Sequence, residues 1–260
     1  MRPTSSATLP DSHEESFMSL PTLAAEIAVH RAEQAWNQQQ LAAPVARPDF
    51  RLWRYRAPAV VLGCSQRGLV SEAQSVQRAG LDLVQRHAGG GAVLVGPWML
   101  SASIVLPTSH PLVTASAVQS YRWLGELFVS VLSGAGIATE ALAPEAAKAS
   151  QQRHANSELG WACFAGLSPW EVVVDQRKIV GLAQVRRRTG NLLVAGLLLD
   201  RPEWPLLCQA MGKPVEQALA LEHCTTSCAE QAGRIIAVTD MATALDAALR
   251  DVLALPMAER

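Results

Sequence analysis

Apolar positions recur on a helical period from Leu20 to Gln40, with Leu23, Ile27, His30, Gln34 and Leu41 on related faces and Thr22 as a start signal. That pattern predicts an amphipathic helix. From Pro48 the period shortens. Phe50, Leu52 and Trp53, then Val60, Val61 and Leu62, form two β-rich runs split by Arg56-Ala57-Pro58 and closed by Gly63, which predicts two adjacent strands. Ser71 to Ala79 reads as a short helix capped by Ser71 and ended by Gly80, after which Leu81 to Gln85 returns to strand.

Ala92 to Val95 and Leu100 to Leu106 read as strands separated by Gly96-Pro97, and Thr114 to Leu132 as a strong helix ended by Gly134. Ala141 to His154 is Ala-rich and reads as a loop or weak helix. A β-rich block follows in Trp161 to Phe164, Glu171 to Val174, Lys178 to Ala183 and Asn191 to Leu199, punctuated by turns at Asp175-Gln176 and Thr189-Gly190. The residues after 200 are helical in character, most clearly Asp240 to Leu255 with Asp240 as N-cap. Strands in the middle and helices at both ends predict an α/β fold of the α+β type, a mixed central β-sheet flanked by helices. The expected organisation is a flexible tail over 1–18 and a single domain over 19–260, with no internal repeat.

Composition narrows the function classes. In 260 residues, 22 Lys+Arg face 23 Asp+Glu, a net charge of −1, so no basic excess points to a nucleic-acid backbone. Apolar residues are 49% and charged ones 17%, below the usual share of about a quarter, so a large core is expected. The uncharged stretch from Ala88 to Ser109 is broken by Gly89-Gly90-Gly91, Pro97 and Pro107, and reads as buried loop and strands, with no membrane span. The first eighteen residues hold no apolar run like a signal-peptide core. Cys64, Cys163, Cys208, Cys224 and Cys228 are scattered and odd in number, unlike a disulfide framework, so a reducing, cytoplasmic location is expected.

Two segments carry candidate chemistry. In Arg86-His87-Ala88-Gly89-Gly90-Gly91-Ala92-Val93, three glycines between strands let backbone N–H groups approach a ligand closely. A tight strand connection with a solvated Arg86 explains the same residues. In Glu171 to Gln184, a hairpin, Lys178 leads a strand that reaches Gly181, and its ammonium could act as a point charge where negative charge develops. A solvated strand-end lysine is the plain alternative. His87 and His110 flank the glycine segment. Cys224, Cys228 and His223 have no second ligand pair for a metal and read as helix cysteines. Arg186-Arg187-Arg188 reads as a solvated turn or as a contact for an acidic carrier protein.

Taken together, Trp53-Arg54 with Ala59-Val60-Val61-Leu62-Gly63, then Arg86-x-x-Gly-Gly-Gly-Ala-Val, then Lys178-Ile179-Val180-Gly181-x-Ala183-Gln184-x-Arg186 resemble in order and spacing the lipoate–protein ligase and octanoyltransferase family. The resemblance runs from about Leu20 to Leu199. Cys163-Phe164 followed by Ser168-Pro169-Trp170-Glu171 resembles the branch of octanoyltransferases that load an acyl group from acyl carrier protein onto a cysteine.

The resemblance implies the catalytic-domain fold shared by biotin and lipoate ligases, and transfer of an octanoyl or lipoyl group to a lysine of a lipoyl-carrier domain. It implies substrate contacts from Arg86, Gly89, Gly90, Gly91, Ala92, Val93, Gly181 and Ala183, with Lys178 holding the activated carbonyl. Two chemistries stay open. A ligase would use free lipoate or octanoate with ATP and Mg²⁺ through acyl-AMP. A transferase would take the acyl group from octanoyl-acyl carrier protein onto Cys163, with no cofactor and with Lys178 as the expected cationic neighbour of the thiol. A small buried hydrophobe is the other reading of Cys163. Val95, Leu182 and Ala195 stand where relatives often carry His, Ser and His, so a noncatalytic acyl- or carrier-domain-binding member is the alternative function. Biotin ligation and a Cys163 thiol hydrolase are further alternatives. No metal site, nucleic acid or membrane partner is expected.

Overall fold

The computed structural model describes residues 28–66, 76, 79–153 and 158–254. The expected tail over 1–18 and the start of the first helix lie outside the described residues, as does most of the expected helix from Ser71 to Ala79.

Helix α1 (Ala28–Gln40) leads into β1 (Asp49–Arg54), β2 (Ala59–Leu62), β3 (Asp82–Gln85), β4 (Val93–Val95) and β5 (Met99–Leu106). A 3₁₀ turn at Gln119–Tyr121 opens α2 (Arg122–Gly134), and β6 (Glu140–Ala141) precedes α3 (Pro144–Arg153). Then come β7 (Val172–Val174), β8 (Arg177–Arg187) and β9 (Gly190–Leu198), and after them α4 (Trp204–Ala210), α5 (Gln217–Cys224), α6 (Cys228–Ala232) and α7 (Val238–Leu253). The large sheet has the order β1-β5-β9-β8-β7-β6 with antiparallel pairing throughout. A small sheet, β3-β2-β4, holds the one parallel pairing of named strands, β2 with β3.

The apolar alternation of β5 and β9 explains the layers. All eight residues of β5 are buried, so the strand is covered on both faces. Leu100, Ile104 and Leu106, with Leu193 and Leu197 of β9, pack under α2 and α7. Met99 and Val105, with Leu192 and Leu198, pack instead with Trp36 of α1, the small sheet and Trp204 of α4. Each such side chain contributes roughly 1.5–3 kcal/mol by leaving water.

Several elements depart from the sequence pattern. Residues 114–118 are not helical: Ser120 Oγ donates to the Ser116 carbonyl at 3.1 Å and accepts the Thr114 N–H at 3.1 Å, so local hydroxyl bonds replace a first helical turn. Residues 144–153 form a true helix, α3, opened by Pro144, whose fixed φ and missing N–H suit a first turn. Asp240 is not the N-cap of α7. That position is Ala237, and Asp240 sits in the first turn, where a carboxylate still meets the positive helix end. Trp161 to Phe164 forms no named strand and pairs only through a parallel bridge between Ala92 and Ala162. The Asp175-Gln176 turn does form, with φ of 48° and 65°, the mirror-image geometry that a two-residue hairpin requires.

Candidate functional site

A narrow cavity of about 70 Å³ opens between α1, the small sheet, and β8 and β9 of the large one. Val61, Val93, Val95, Met99, Leu192 and Val194 make much of its wall apolar, and Arg86, Cys163, Glu33 and Asn37 bring polar groups to it.

The glycine turn and the Cys163 segment are joined by backbone bonds: Ala92 N donates to Trp161 O at 2.7 Å and Cys163 N donates to Ala92 O at 2.8 Å. Glycine is required here by packing. A Cβ on Gly91 would lie 2.4 Å from Trp161 O, and one on Gly90, at φ 101°, would lie 2.7 Å from Arg86 Nη2. Gly89, Gly90, Gly91 and Ala92 are not among the residues lining the cavity. Their backbone instead holds Arg86, whose Nη2 donates to Gly89 O and Gly91 O, each at 3.0 Å.

The same Nη2 reaches Cys163 Sγ at 3.5 Å. Arg86 is 9% exposed, and Cys163 is half-buried on the cavity wall. A guanidinium placed there stabilises the negative charge of a thiolate. The cation at the thiol is therefore Arg86, in place of the expected Lys178.

Lys178 is buried elsewhere in the same neighbourhood. Its Nζ lies 2.8 Å from Glu171 Oε2 and donates to the carbonyl of Cys163 at 3.0 Å, with the ring of Phe164 5.4 Å away. Glu171 also accepts the N–H groups of Ser168 at 2.7 Å and Leu182 at 3.2 Å. Lys178 does not line the cavity; its ammonium ties the cysteine backbone to the β7–β8 hairpin. Gly181, Ala183 and Val93 do line it.

Val95, Leu182 and Ala195 all line the cavity, and Leu182 and Ala195 are direct register partners across β8 and β9. Ala195 is fully buried and, with Leu182, joins the core under α2 and α7.

Three polar residues were not singled out from the sequence. Glu33 is 3% exposed, accepts the Tyr55 hydroxyl at 2.6 Å, and has its carboxyl pushed up to about 7 by burial. Burial and the neighbouring Glu33 carboxyl hold the Tyr55 phenol well above its ordinary value. Tyr121, near Cys163 and Glu171, is pushed by burial up to about 12 and stays a neutral phenol. The available signal was a polar stripe, His30, Glu33 and Asn37, spaced i, i+3, i+7 on the face of α1 that also buries Trp36.

Of the remaining candidates, His87 is exposed at the cavity, whereas His110 is buried in a turn where its Nδ1 accepts the Leu112 N–H at 3.3 Å. Arg186 belongs to β8 and donates to Thr114 O at 2.8 Å and Ala115 O at 3.2 Å, anchoring the loop before α2. Cys224 ends α5 and Cys228 begins α6, where burial pushes its thiol up to about 12. Among the described residues no helix is long and apolar enough to cross a membrane.

The family model of the lipoyl protein ligase A/B catalytic domain matches residues 26–249. The chain belongs to this family. It is 33% identical over 154 residues to octanoyltransferase LipM of Kyrpidia tusciae, a match covering 59% of this chain and 55% of that protein. The chain thus spans about half the length of that curated relative. Among solved structures it is similar to lipoate-protein ligase A bound with ATP, with a TM-score of 0.62, 16% identity, and coverage of 91% of this chain and 83% of the other. It is equally similar to the bi-partite lipoate protein ligase of Thermoplasma acidophilum, described with its E2 lipoyl domain, with a TM-score of 0.62, 16% identity, and coverage of 91% and 82%. These neighbours share its fold, an antiparallel sheet flanked by helices.

Proposed function

We propose that this protein moves a medium-chain acyl group, octanoyl or lipoyl, from an acyl-carrier thioester to the lysine ε-amine of a lipoyl-carrier domain through Cys163. The observation that carries this reading is the Cys163 thiol on the cavity wall, 3.5 Å from Arg86 Nη2. The thiolate attacks the thioester carbonyl, forming a C–S bond to Cys163 as the bond to the carrier sulfur breaks and the carrier thiol leaves with a proton. The acceptor amine then attacks the Cys163 thioester, loses a proton, and forms the amide as the cysteine thiol is restored. The apolar wall takes the alkyl chain. Lys178 acts as a positioning residue, holding the backbone of Cys163 beside Arg86.

The acyl-AMP route asks for a different donor set. A triphosphate with its metal needs several cations or hydrogen-bond donors, yet Arg86 is the one guanidinium or ammonium among the described cavity residues and is already bonded to two carbonyls. Glu33 adds a carboxyl, and Lys178 is held by Glu171. The described cavity residues do not fit ATP and Mg²⁺.

The test is the intact mass of an apo lipoyl domain incubated with the protein and octanoyl-acyl carrier protein, octanoate with Mg-ATP, or lipoate with Mg-ATP. The expected result is modification from the carrier thioester, lost in Cys163→Ser. Modification only with ATP and unaffected by that substitution would overturn the cysteine route in favour of a ligase. No modification from any donor, with the acceptor shown competent by a control enzyme, would leave the noncatalytic reading.

A further inference from the structure

The second half of the proposed reaction needs a proton acceptor. A lysine ε-amine is neutral in only about one molecule in a few thousand at neutral pH, and even the neutral amine sheds a proton as it becomes an amide. Five ionisable side chains line the cavity among the described residues: Glu33, Tyr55, Arg86, His87 and Cys163. Arg86 does not give up its proton and holds two glycine carbonyls. Tyr55 donates to Glu33, and its phenol is held well above its ordinary value by burial and by that carboxyl. Cys163 carries the acyl group at this step. Glu33 is 3% exposed and bonded to Tyr55 at 2.6 Å, out of reach of an amine borne on a second protein.

His87 differs from the other four in being exposed. It stands between two buried residues, Arg86 and Ala88, whose backbones are pinned: Arg86 N donates to Leu62 O at 2.9 Å, and Cys64 N donates to Ala88 O at 3.0 Å. That alternation puts the imidazole at the rim of the cavity, on the residue next to the guanidinium whose Nη2 lies 3.5 Å from Cys163 Sγ. Among the described residues no hydrogen bond engages either ring nitrogen.

We infer that His87 is the general base of the second half-reaction, taking the proton from the lysine nitrogen as it attacks the Cys163 thioester. The inference rests on the Cys163 route proposed above and adds a catalytic residue to it. The arriving ammonium gives one proton to solvent. The neutral nitrogen then bonds to the thioester carbonyl carbon, its next proton passes to the imidazole, and the C–S electron pair returns to Sγ, whose charge faces Arg86. The imidazolium passes its proton to Sγ and restores the thiol. Imidazole suits this task because its charge changes between about pH 5 and pH 8, so it both accepts and releases a proton near neutrality.

The experiment separates the two half-reactions by intact mass. The full chain is loaded at Cys163 from octanoyl-acyl carrier protein, and the isolated acyl-enzyme is mixed with an apo lipoyl domain in single turnover, from about pH 5.5 to pH 8. Parent, His87→Gln and Glu33→Gln are compared, because Glu33 titrates in the same cavity with its carboxyl pushed up to about 7. Discharge by the parent is expected to rise with pH and level off as the imidazole becomes neutral. His87→Gln should discharge about 100-fold more slowly and lose that levelling, while loading falls by less than about tenfold; imidazole added to the solution should restore part of the rate. Discharge by His87→Gln within about threefold of the parent at every pH would overturn the inference, as would equal slowing of loading and discharge. A pH profile that survives in His87→Gln and vanishes in Glu33→Gln would assign the proton to Glu33 and also overturn it. Loading decides the transferase reading separately. A chain that loads Cys163 and discharges without help from His87 keeps its proposed function and loses this inference, whereas failure to load removes both.

Discussion

Lys178 addresses the backbone of Cys163: its ammonium donates to the Cys163 carbonyl at 3.0 Å and lies 2.8 Å from Glu171, while the thiol has Arg86 as its cation. Lys178 and Glu171 are 1% and 2% exposed. Removing one partner of a buried pair leaves the other uncompensated, at a cost of about 3–5 kcal/mol. Lys178→Ala is therefore expected to lose stability on that scale in urea denaturation, and an activity loss in that variant alone does not identify a catalytic lysine. The double variant Lys178→Met, Glu171→Gln should recover a large part of the loss. Strict additivity of the two single effects would show that the pair is not coupled.

Arg86 is expected to govern the reactivity of Cys163. Hydrogen bonds to a charged group contribute about 1.5–3 kcal/mol, so Arg86→Gln should slow alkylation of Cys163 by iodoacetamide by roughly 10- to 100-fold. Arg86→Lys should recover only part of the rate, because an ammonium lacks the planar fork that bonds two glycine carbonyls while touching the thiol. The labelled site is identified by peptide mass, since Cys64 and Cys224 are also half-buried thiols. An unchanged Cys163 rate in Arg86→Gln would remove Arg86 from the site.

Much of this arrangement is legible in the sequence, and the misplaced parts have physical causes. Strands β1 to β5 and the β7–β8 hairpin follow from alternation and turn chemistry, because their signals are local. The place of Lys178 was not legible: which cation meets a thiol depends on the bonds between Ala92, Trp161 and Cys163, contacts distant in sequence. Glu33 was missed for a related reason. On α1 it reads as a polar residue of a surface helix, and only the packing of α1 against β1 and the cavity turns it inward beside Tyr55. The antiparallel large sheet and the separate small sheet are likewise set by long-range pairing, which periodicity leaves open.

Gly90 links backbone conformation to the reactive centre. Its φ of 101° disfavours an L side chain, and a Cβ would press on Arg86 Nη2 at 2.7 Å and stand 3.5 Å from Cys163 Sγ. Gly90→Ala should cost about 1–3 kcal/mol of stability and slow Cys163 alkylation in the folded protein. Gly89→Ala is the control, since a Cβ there meets nothing within 4 Å. Equal effects of the two substitutions on alkylation would show that the contact with Arg86 is unimportant.

Glu33 makes stability depend on pH in a direction opposite to the usual paired carboxylate. Burial raises its folded value to about 7 from an ordinary 4.5. Between those values the folded chain holds a proton that the unfolded chain has released, so the stability contributed by the neutral carboxyl is full below pH 4.5 and is lost as pH rises through about 7. The loss amounts to about 3 kcal/mol at most, at roughly 1.4 kcal/mol per pH unit of separation. Glu33→Gln cannot ionise and keeps an oxygen to accept from Tyr55. Measured by urea denaturation at about pH 5 and about pH 8, the stability difference between Glu33→Gln and the parent should move toward the variant at the higher pH by about 2–3 kcal/mol. The comparison cancels the titration of every other group common to both proteins. A difference that stays constant across that range would place the ionised form of Glu33 at no disadvantage in the folded chain.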